Sequence, residues 1–207
     1  PTVYHKPPPR LAEKIPVGRI APGGGRFGRM GPMQQAILFD IDGTLLHAKG
    51  LGRPAFAEAF RVAYGAEADV ERVSFVGATD TGVVRGLAAE CGVESTPAKE
   101  ERFYIELTKR LEPRLATGDI LVYPGVRAFL EALRARGFLL GIVTGNIRAT
   151  AWAKLIHAGL ADLFTFGAYA GDAVDRDAIA VLACERARAL GAEPRLLTGK
   201  GAGLSDA

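Results

Sequence analysis

The sequence predicts an α/β protein built on a parallel sheet, with a block of helices inserted after the first strand. Three observations carry that prediction. Residues 36–39, Ala-Ile-Leu-Phe, form an apolar run without polar alternation, as a central parallel strand covered on both faces requires, and the run leads into Asp40, Asp42 and Gly43. A second apolar run over 137–143 leads into Thr144-Gly145-Asn146. Between the two, residues 50–118 show helical spacing of apolar residues and no strand signal.

With 207 residues and 48% hydrophobic content, the chain suits one core domain, or a core with a small inserted domain. No apolar stretch is long enough to read as a membrane helix. Cys91 and Cys184 lie far apart without metal-like neighbours, which points to reduced thiols and a cytoplasmic protein. The basic balance is local. Residues 1–32 hold six basic side chains (Lys6, Arg10, Lys14, Arg19, Arg26, Arg29) against Glu13, a net of +5, and the remainder carries −2 from 20 basic and 22 acidic residues. The basic residues are scattered, with few aromatics for base stacking, so no nucleic-acid partner is expected.

In chain order, residues 1–32 contain Pro7-Pro8-Pro9 and Ala21-Pro22-Gly23-Gly24-Gly25, and this composition predicts a disordered tail. It shows neither the apolar centre of a signal peptide nor a transit pattern. The chain starts at Pro1 and Met33 directly precedes the first strand, so the tail reads as a translated upstream stretch or a remnant. Gly23, Gly25 and Gly28 match a dinucleotide-binding spacing, but such a loop must follow a strand and open a helix, and this one precedes the first strand.

The strand at 36–46 delivers two carboxylates at its C-terminal end, where ligands bind in open α/β sheets. A carboxylate can act as nucleophile while a neighbouring acid moves protons, so Asp40 is expected to attack and Asp42 to serve as acid/base. Residues 45–52 read as a linker. Helices are predicted at about 53–64, 80–90 and 97–112, with Thr79 as an N-cap, Asp80 as a first-turn acid and Arg85 on a solvated face. An apolar run at 120–123 turns into a helix at about 125–136, followed by the strand ending at Val143. Thr144-Gly145-Asn146 then sits at a strand-to-helix turn. By itself that triplet suits an ordinary N-cap, but after an apolar strand its hydroxyl and free amides can bind phosphate.

A helix at about 147–158 follows, in which Trp152 and His157 read as packing residues. His5, His47 and His157 show no metal-ligand spacing. A strand at 163–167, a helix opening at Arg176 and running to about 190, and a strand at 194–198 complete the pattern.

Asp40-Ile41-Asp42-Gly43-Thr44-Leu45 resembles the first motif of the haloacid dehalogenase-like hydrolases, in their phosphatase branch. The resemblance implies a Rossmann-like three-layer core, Mg²⁺ held with Asp40 and Asp42 as metal ligands, and an aspartyl-phosphate intermediate. Residues 50–118 resemble the helical cap of the phosphoglycolate phosphatase-like branch, and Gly77-Ala78-Thr79-Asp80-Thr81 resembles a loop of that cap, which would bring Thr79 to the substrate. Thr144 resembles the second motif, with Gly145 and Asn146 as its neighbours, and they would bind phosphate together with Gly43. Arg176 matches the place of the third motif, where lysine is more usual; arginine keeps the role because its planar fork grips phosphate.

The core would comprise 33–49 and 119–207, incomplete at the C-terminus. The fourth motif should supply a further carboxylate to Mg²⁺, yet 199–207 place Lys200 where an acid is expected and Asp206 at another spacing. The expectation from this is a truncated or frame-shifted copy, which would explain both ends; high Mg²⁺-dependent activity of the chain would instead mean that another carboxylate, such as Asp172 or Asp175, completes the coordination. The resemblance thus implies a Mg²⁺-dependent phosphatase acting on a small-molecule phosphate ester. A phosphomutase of the β-phosphoglucomutase type and a non-catalytic phosphate-binding fragment are the alternatives, and the oligomeric state is open.

Overall fold

The computed structural model describes residues 34–48, 50–75, 77–173 and 175–197. The tail at 1–32 with its glycine pattern, and the 199–207 segment with Lys200 and Asp206, lie outside the described residues. Four parallel strands form one sheet in the order β5-β4-β1-β6, where β1 is Gln34–Phe39, β4 Leu139–Ile147, β5 Phe166–Ala170 and β6 Ala192–Leu197. β1 is central: Ile37 faces Leu140 on one side and Arg195 on the other.

The unbroken apolar character of β1 follows from its two covered faces. Successive side chains of a strand point to opposite faces. Ile37 and Phe39 pack with Leu130 and Leu133 of α4 (Val126–Ala135) and with Ala151 and Leu155 of α5 (Arg148–His157), whereas Leu38 packs with Ile179 and Ala183 of α6 (Arg176–Ala189). This is a three-layer α/β core, as predicted.

Three helices are inserted in it, α1 (Gly52–Tyr64), α2 (Asp80–Glu90) and α3 (Pro97–Thr117). Their shared core is aromatic, with Phe56 edge-on to Phe103 at 4.6 Å between ring centroids and Phe60 stacked on Tyr64. The Thr79 hydroxyl caps α2 by accepting from the Gly82 amide at 2.9 Å, and the Thr96 hydroxyl caps α3 from Lys99. Ile147 and Ala153 join the same apolar cluster, so the insert rests on α5 and on the end of β4. No helix among the described residues is long and apolar enough to cross a membrane.

The structure departs from the sequence reading in four places. The predicted linker at 45–52 contains a short strand, β2 (Leu46–His47), paired antiparallel with β3 (Leu121–Val122), so the two ends of the insert are tied together. Two residues are too few to display a period. Helix α3 continues past 112 and through Pro113 to Thr117, because Leu115 is buried and Arg114 reaches Glu58 on α1 at 2.6 Å. The strand predicted at 163–167 forms at Phe166–Ala170 instead; Leu163 and Phe164 are apolar because they are buried beneath the sheet, beside a short 3₁₀ turn at Ala161–Leu163. Finally, Thr144, Gly145 and Asn146 belong to β4 itself, which shifts register between Val143 and Ile147, and α5 begins only at Arg148. The free amides of the α5 N-terminus therefore come after that triplet and not within it.

Candidate active site

The predicted site residues gather at the C-terminal ends of β1 and β4. Asp40 directly follows β1 and is mostly buried. One carboxylate oxygen accepts from the Ile41 amide at 2.7 Å and the other from the Arg176 guanidinium at 2.7 Å. Arg176 opens α6, where Asp175 caps the helix by accepting from the Ala178 amide at 2.8 Å. The α6 N-terminus thus aims a fixed cation at Asp40 from the far side of the sheet, and the arginine pairs across the fold with Asp40.

After Asp42 the chain reverses at Gly43, whose φ of 79° lies in the left-handed region that glycine enters without strain. The Gly43 amide bonds the Leu46 carbonyl at 3.0 Å, closing the turn that leads to β2. The Asp42 carboxylate is turned towards α5: the Lys154 ammonium donates to both of its oxygens at 2.9 and 2.7 Å, and the Asn146 amide donates to one at 2.7 Å. Lys154 also donates to the Asn146 carbonyl oxygen at 2.8 Å. Asn146 in turn donates to the buried Thr144 hydroxyl at 2.8 Å, which makes a connected chain of Lys154, Asp42, Asn146 and Thr144. Burial pushes the Asp42 carboxyl up, but the Lys154 charge and the hydrogen bonds from Lys154 and Asn146 outweigh it and hold the group below its ordinary range.

Gly145 lies between these groups and the insert. A methyl at this position would stand 2.3 Å from the Ala78 carbonyl oxygen and 3.2 Å from both the Arg176 guanidinium and the Thr79 Cα. The absence of a side chain is what lets the 77–79 loop cross the strand end. Thr79 is therefore close to the site through its backbone, while its hydroxyl is engaged in the α2 cap. Beside it, the Asp80 carboxylate accepts from the Ile147 amide at 2.9 Å and so ties the start of α2 to the start of α5. Burial pushes Asp80 up to about 6, against the lowering effects of that hydrogen bond and of Lys154. A cavity of about 110 Å³, lined by Val143, Thr144, Arg176, Asp177, Ile179, Ala180 and Leu196, adjoins the Thr144 and Arg176 end of the site.

Two acids weighed as extra metal ligands are committed elsewhere. Asp172 accepts from Arg186 and from the Tyr169 amide, and Asp175 is the α6 cap. Arg85, read as solvated, pairs with Glu100 at 2.6 and 2.9 Å. Sequence reasoning missed Lys154, which is only 7% exposed. Its position offered a signal: it lies three residues after Ala151 and four after Thr150, on the stripe of α5 that faces the core, where a lysine needs a partner from elsewhere in the fold.

Known proteins share both the sequence pattern and the fold. The family model for haloacid dehalogenase-like hydrolases matches residues 34–195. A phosphoglycolate phosphatase of Rhodobacter capsulatus is 31% identical over 133 residues, covering 64% of this chain and 60% of the relative. Another phosphoglycolate phosphatase, from Rhodospirillum rubrum, is 34% identical over 144 residues, covering 63% of this chain and 56% of the relative. The chain thus spans little more than half the length of these curated relatives. Among solved structures, CbbY from Rhodobacter sphaeroides in complex with phosphate superimposes with a TM-score of 0.63 at 23% identity, covering 80% of this chain and 77% of that one, a likeness of fold. Because the family model spans β1 to β6 and so takes in the acids after β1, the β4 terminus and the α6 arginine together, the chain belongs to the haloacid dehalogenase-like hydrolases.

Proposed function

We propose that the protein hydrolyses a small-molecule phosphomonoester, in the manner of the phosphoglycolate phosphatases it resembles, through an aspartyl-phosphate on Asp40. The observation that carries this reading is the Asp40 carboxylate, fixed between a backbone amide and the Arg176 guanidinium at the end of the central strand. A nucleophile held in this way is oriented before substrate arrives, and the arginine stands ready to offset phosphoryl charge.

The donors present suit Mg²⁺, which is commonly held by one or two carboxylates together with substrate phosphate and water. A carboxylate offers about four acceptor sites, and Asp40 uses two while Asp42 uses three, so both retain capacity. No group of three candidate ligand side chains forms among the described residues. Asp40 and Asp42 would hold the ion, which when bound would neutralise charge on the transferring phosphoryl group.

The chain's own residues divide the remaining work. An Asp40 oxygen forms a bond to phosphorus as the ester P–O bond breaks, and Asp42 gives a proton to the departing alkoxide. In the second half Asp42 takes a proton from the water that attacks the aspartyl-phosphate, releasing phosphate and restoring Asp40. The proton gained there is the one the leaving group requires in the next cycle. The Thr144 hydroxyl, which accepts from Asn146, keeps its own hydrogen for a phosphoryl oxygen. Asn146, read from the sequence as a phosphate ligand, orients that hydroxyl instead, and Gly145 makes room for the 77–79 loop while Gly43 leaves the backbone after Asp42 open to the phosphoryl group. The insert, α1–α3 within residues 50–118, acts as a cap on a core of 33–49 and 119–207, with the β2–β3 ribbon joining the two and the 77–79 loop keeping bulk water from the site.

The test is phosphate release from a series of small phosphate esters with and without Mg²⁺. Mg²⁺-dependent release from at least one ester is expected. Failure on every ester by folded protein would overturn the reading, and transfer to a second position of the substrate in place of water would make it a mutase.

A further inference from the structure

Lys154 has no part in the mechanism above, yet it makes three hydrogen bonds in the site, two to Asp42 and one to Asn146, between 2.7 and 2.9 Å. It is almost fully buried, on α5 between the buried Ala153 and Leu155, with its ammonium in contact with both oxygens of Asp42. Asp42 itself has a 42% exposed side chain and stands after β1 just before the turn that begins at Gly43, so burial alone does not fix where the carboxylate points. Among the described residues, Lys154 and Asn146 are the donors to that carboxylate, and Lys154 holds Asn146 as well.

We infer that Lys154 is a positioning residue for the reaction: it clamps Asp42 and Asn146 in a single arrangement, so that the proton-transfer group, and the amide that bonds both it and the Thr144 hydroxyl, keep their places relative to Asp40. This inference rests on the proposed phosphatase reading. A lysine suits the part because its three ammonium hydrogens radiate from one atom and can serve the three oxygens it meets here, which the planar fork of arginine cannot do from the same point. Without the clamp, Asp42 would rotate into solvent, leaving Asp40 and Arg176 in place. Attack on phosphorus would survive for esters with good leaving groups, while hydrolysis of the aspartyl-phosphate, which needs Asp42 to take a proton from water, would fail.

The experiment uses p-nitrophenyl phosphate with Mg²⁺ under rapid mixing. Lys154→Met should give a burst of about one p-nitrophenol per chain followed by a steady-state rate lowered on the order of 10²-fold or more, the scale of a lost acid/base group. The partner measurement is made in an Asp42→Asn background, where adding Lys154→Met should cost no more than about twofold further, because a residue that acts through another is not additive with it. The double variant also leaves no buried charge without its counter-charge, so it keeps the test available where the single variant does not fold. Burst and steady-state rates that fall in proportion, or full additivity with Asp42→Asn, would overturn the inference. A folded unmodified chain that releases phosphate from no ester, p-nitrophenyl phosphate included, overturns the phosphatase reading and this inference with it, whereas a fully active Lys154→Met variant overturns this inference alone.

Discussion

Gly145 and Ala78 touch backbone to backbone: the carbonyl oxygen of Ala78 lies where the first carbon of any side chain at 145 would stand, 2.3 Å away. A contact between β4 and the inserted helices is thereby written into a missing methyl group. Gly145→Ala must displace the 77–79 loop, and overpacking of this kind costs about 1–3 kcal/mol. A lowered melting temperature together with weaker substrate binding is expected. A variant with an unchanged melting curve would mean that the loop does not rest on this strand.

Asp80 makes the same junction sensitive to pH. Its folded-state value, about 6, lies above the ordinary 3.8, so the folded protein holds the proton that the unfolded chain releases first. Stability should therefore fall as pH rises from about 4 to about 6, with a total cost of up to about 3 kcal/mol above that window. Asp80→Asn keeps an oxygen for the Ile147 amide and removes the charge, so it should flatten that slope and stabilise the protein at pH 7. Denaturant unfolding at pH 4.5 and pH 7 measures both effects, and an unaltered slope in the variant would assign the pH dependence to another group.

The legible parts of this sequence were those governed by local rules. The run from Ala36 to Phe39 announced a strand covered on both faces, and Asp40, Asp42 and Arg176 could be assigned expected roles because a short motif or a helix start marked each of them. What could not be read was set by partners remote in sequence. Lys154 lies more than a hundred residues from Asp42, and nothing near it in the chain says what its charge meets. The continuation of α3 through Pro113 depends on Glu58 in another helix, and the apolarity of Leu163 and Phe164 reflects burial under the sheet and not a strand period.

Arg176 offers a direct test of the charge pairing at the nucleophile. Arg176→Met removes the donor 2.7 Å from Asp40 and should lower kcat on the order of 10²-fold, as losing one preorganised donor to a developing charge commonly does. Arg176→Lys should recover part of that loss. Steady-state kinetics on the best ester decides the matter, and an undiminished kcat in Arg176→Met would remove the arginine from the mechanism.

The inserted helices depend on their aromatic centre. Phe103 is fully buried against Phe56, so Phe103→Ala should destabilise the protein by about 3–5 kcal/mol. Chemical denaturation measures the loss, and a cost below about 1 kcal/mol would contradict the packing described for α1 and α3.

The central claim is that Asp40 carries the phosphoryl group. The protein is mixed with its best phosphate ester and Mg²⁺, quenched in acid and digested, and the phosphorylated peptide is identified by mass spectrometry. The account predicts phosphate on the Asp40 side chain, and no phosphoenzyme from Asp40→Asn, whose amide cannot attack phosphorus. Phosphate found on another residue, or a phosphoenzyme formed by folded Asp40→Asn, would contradict it.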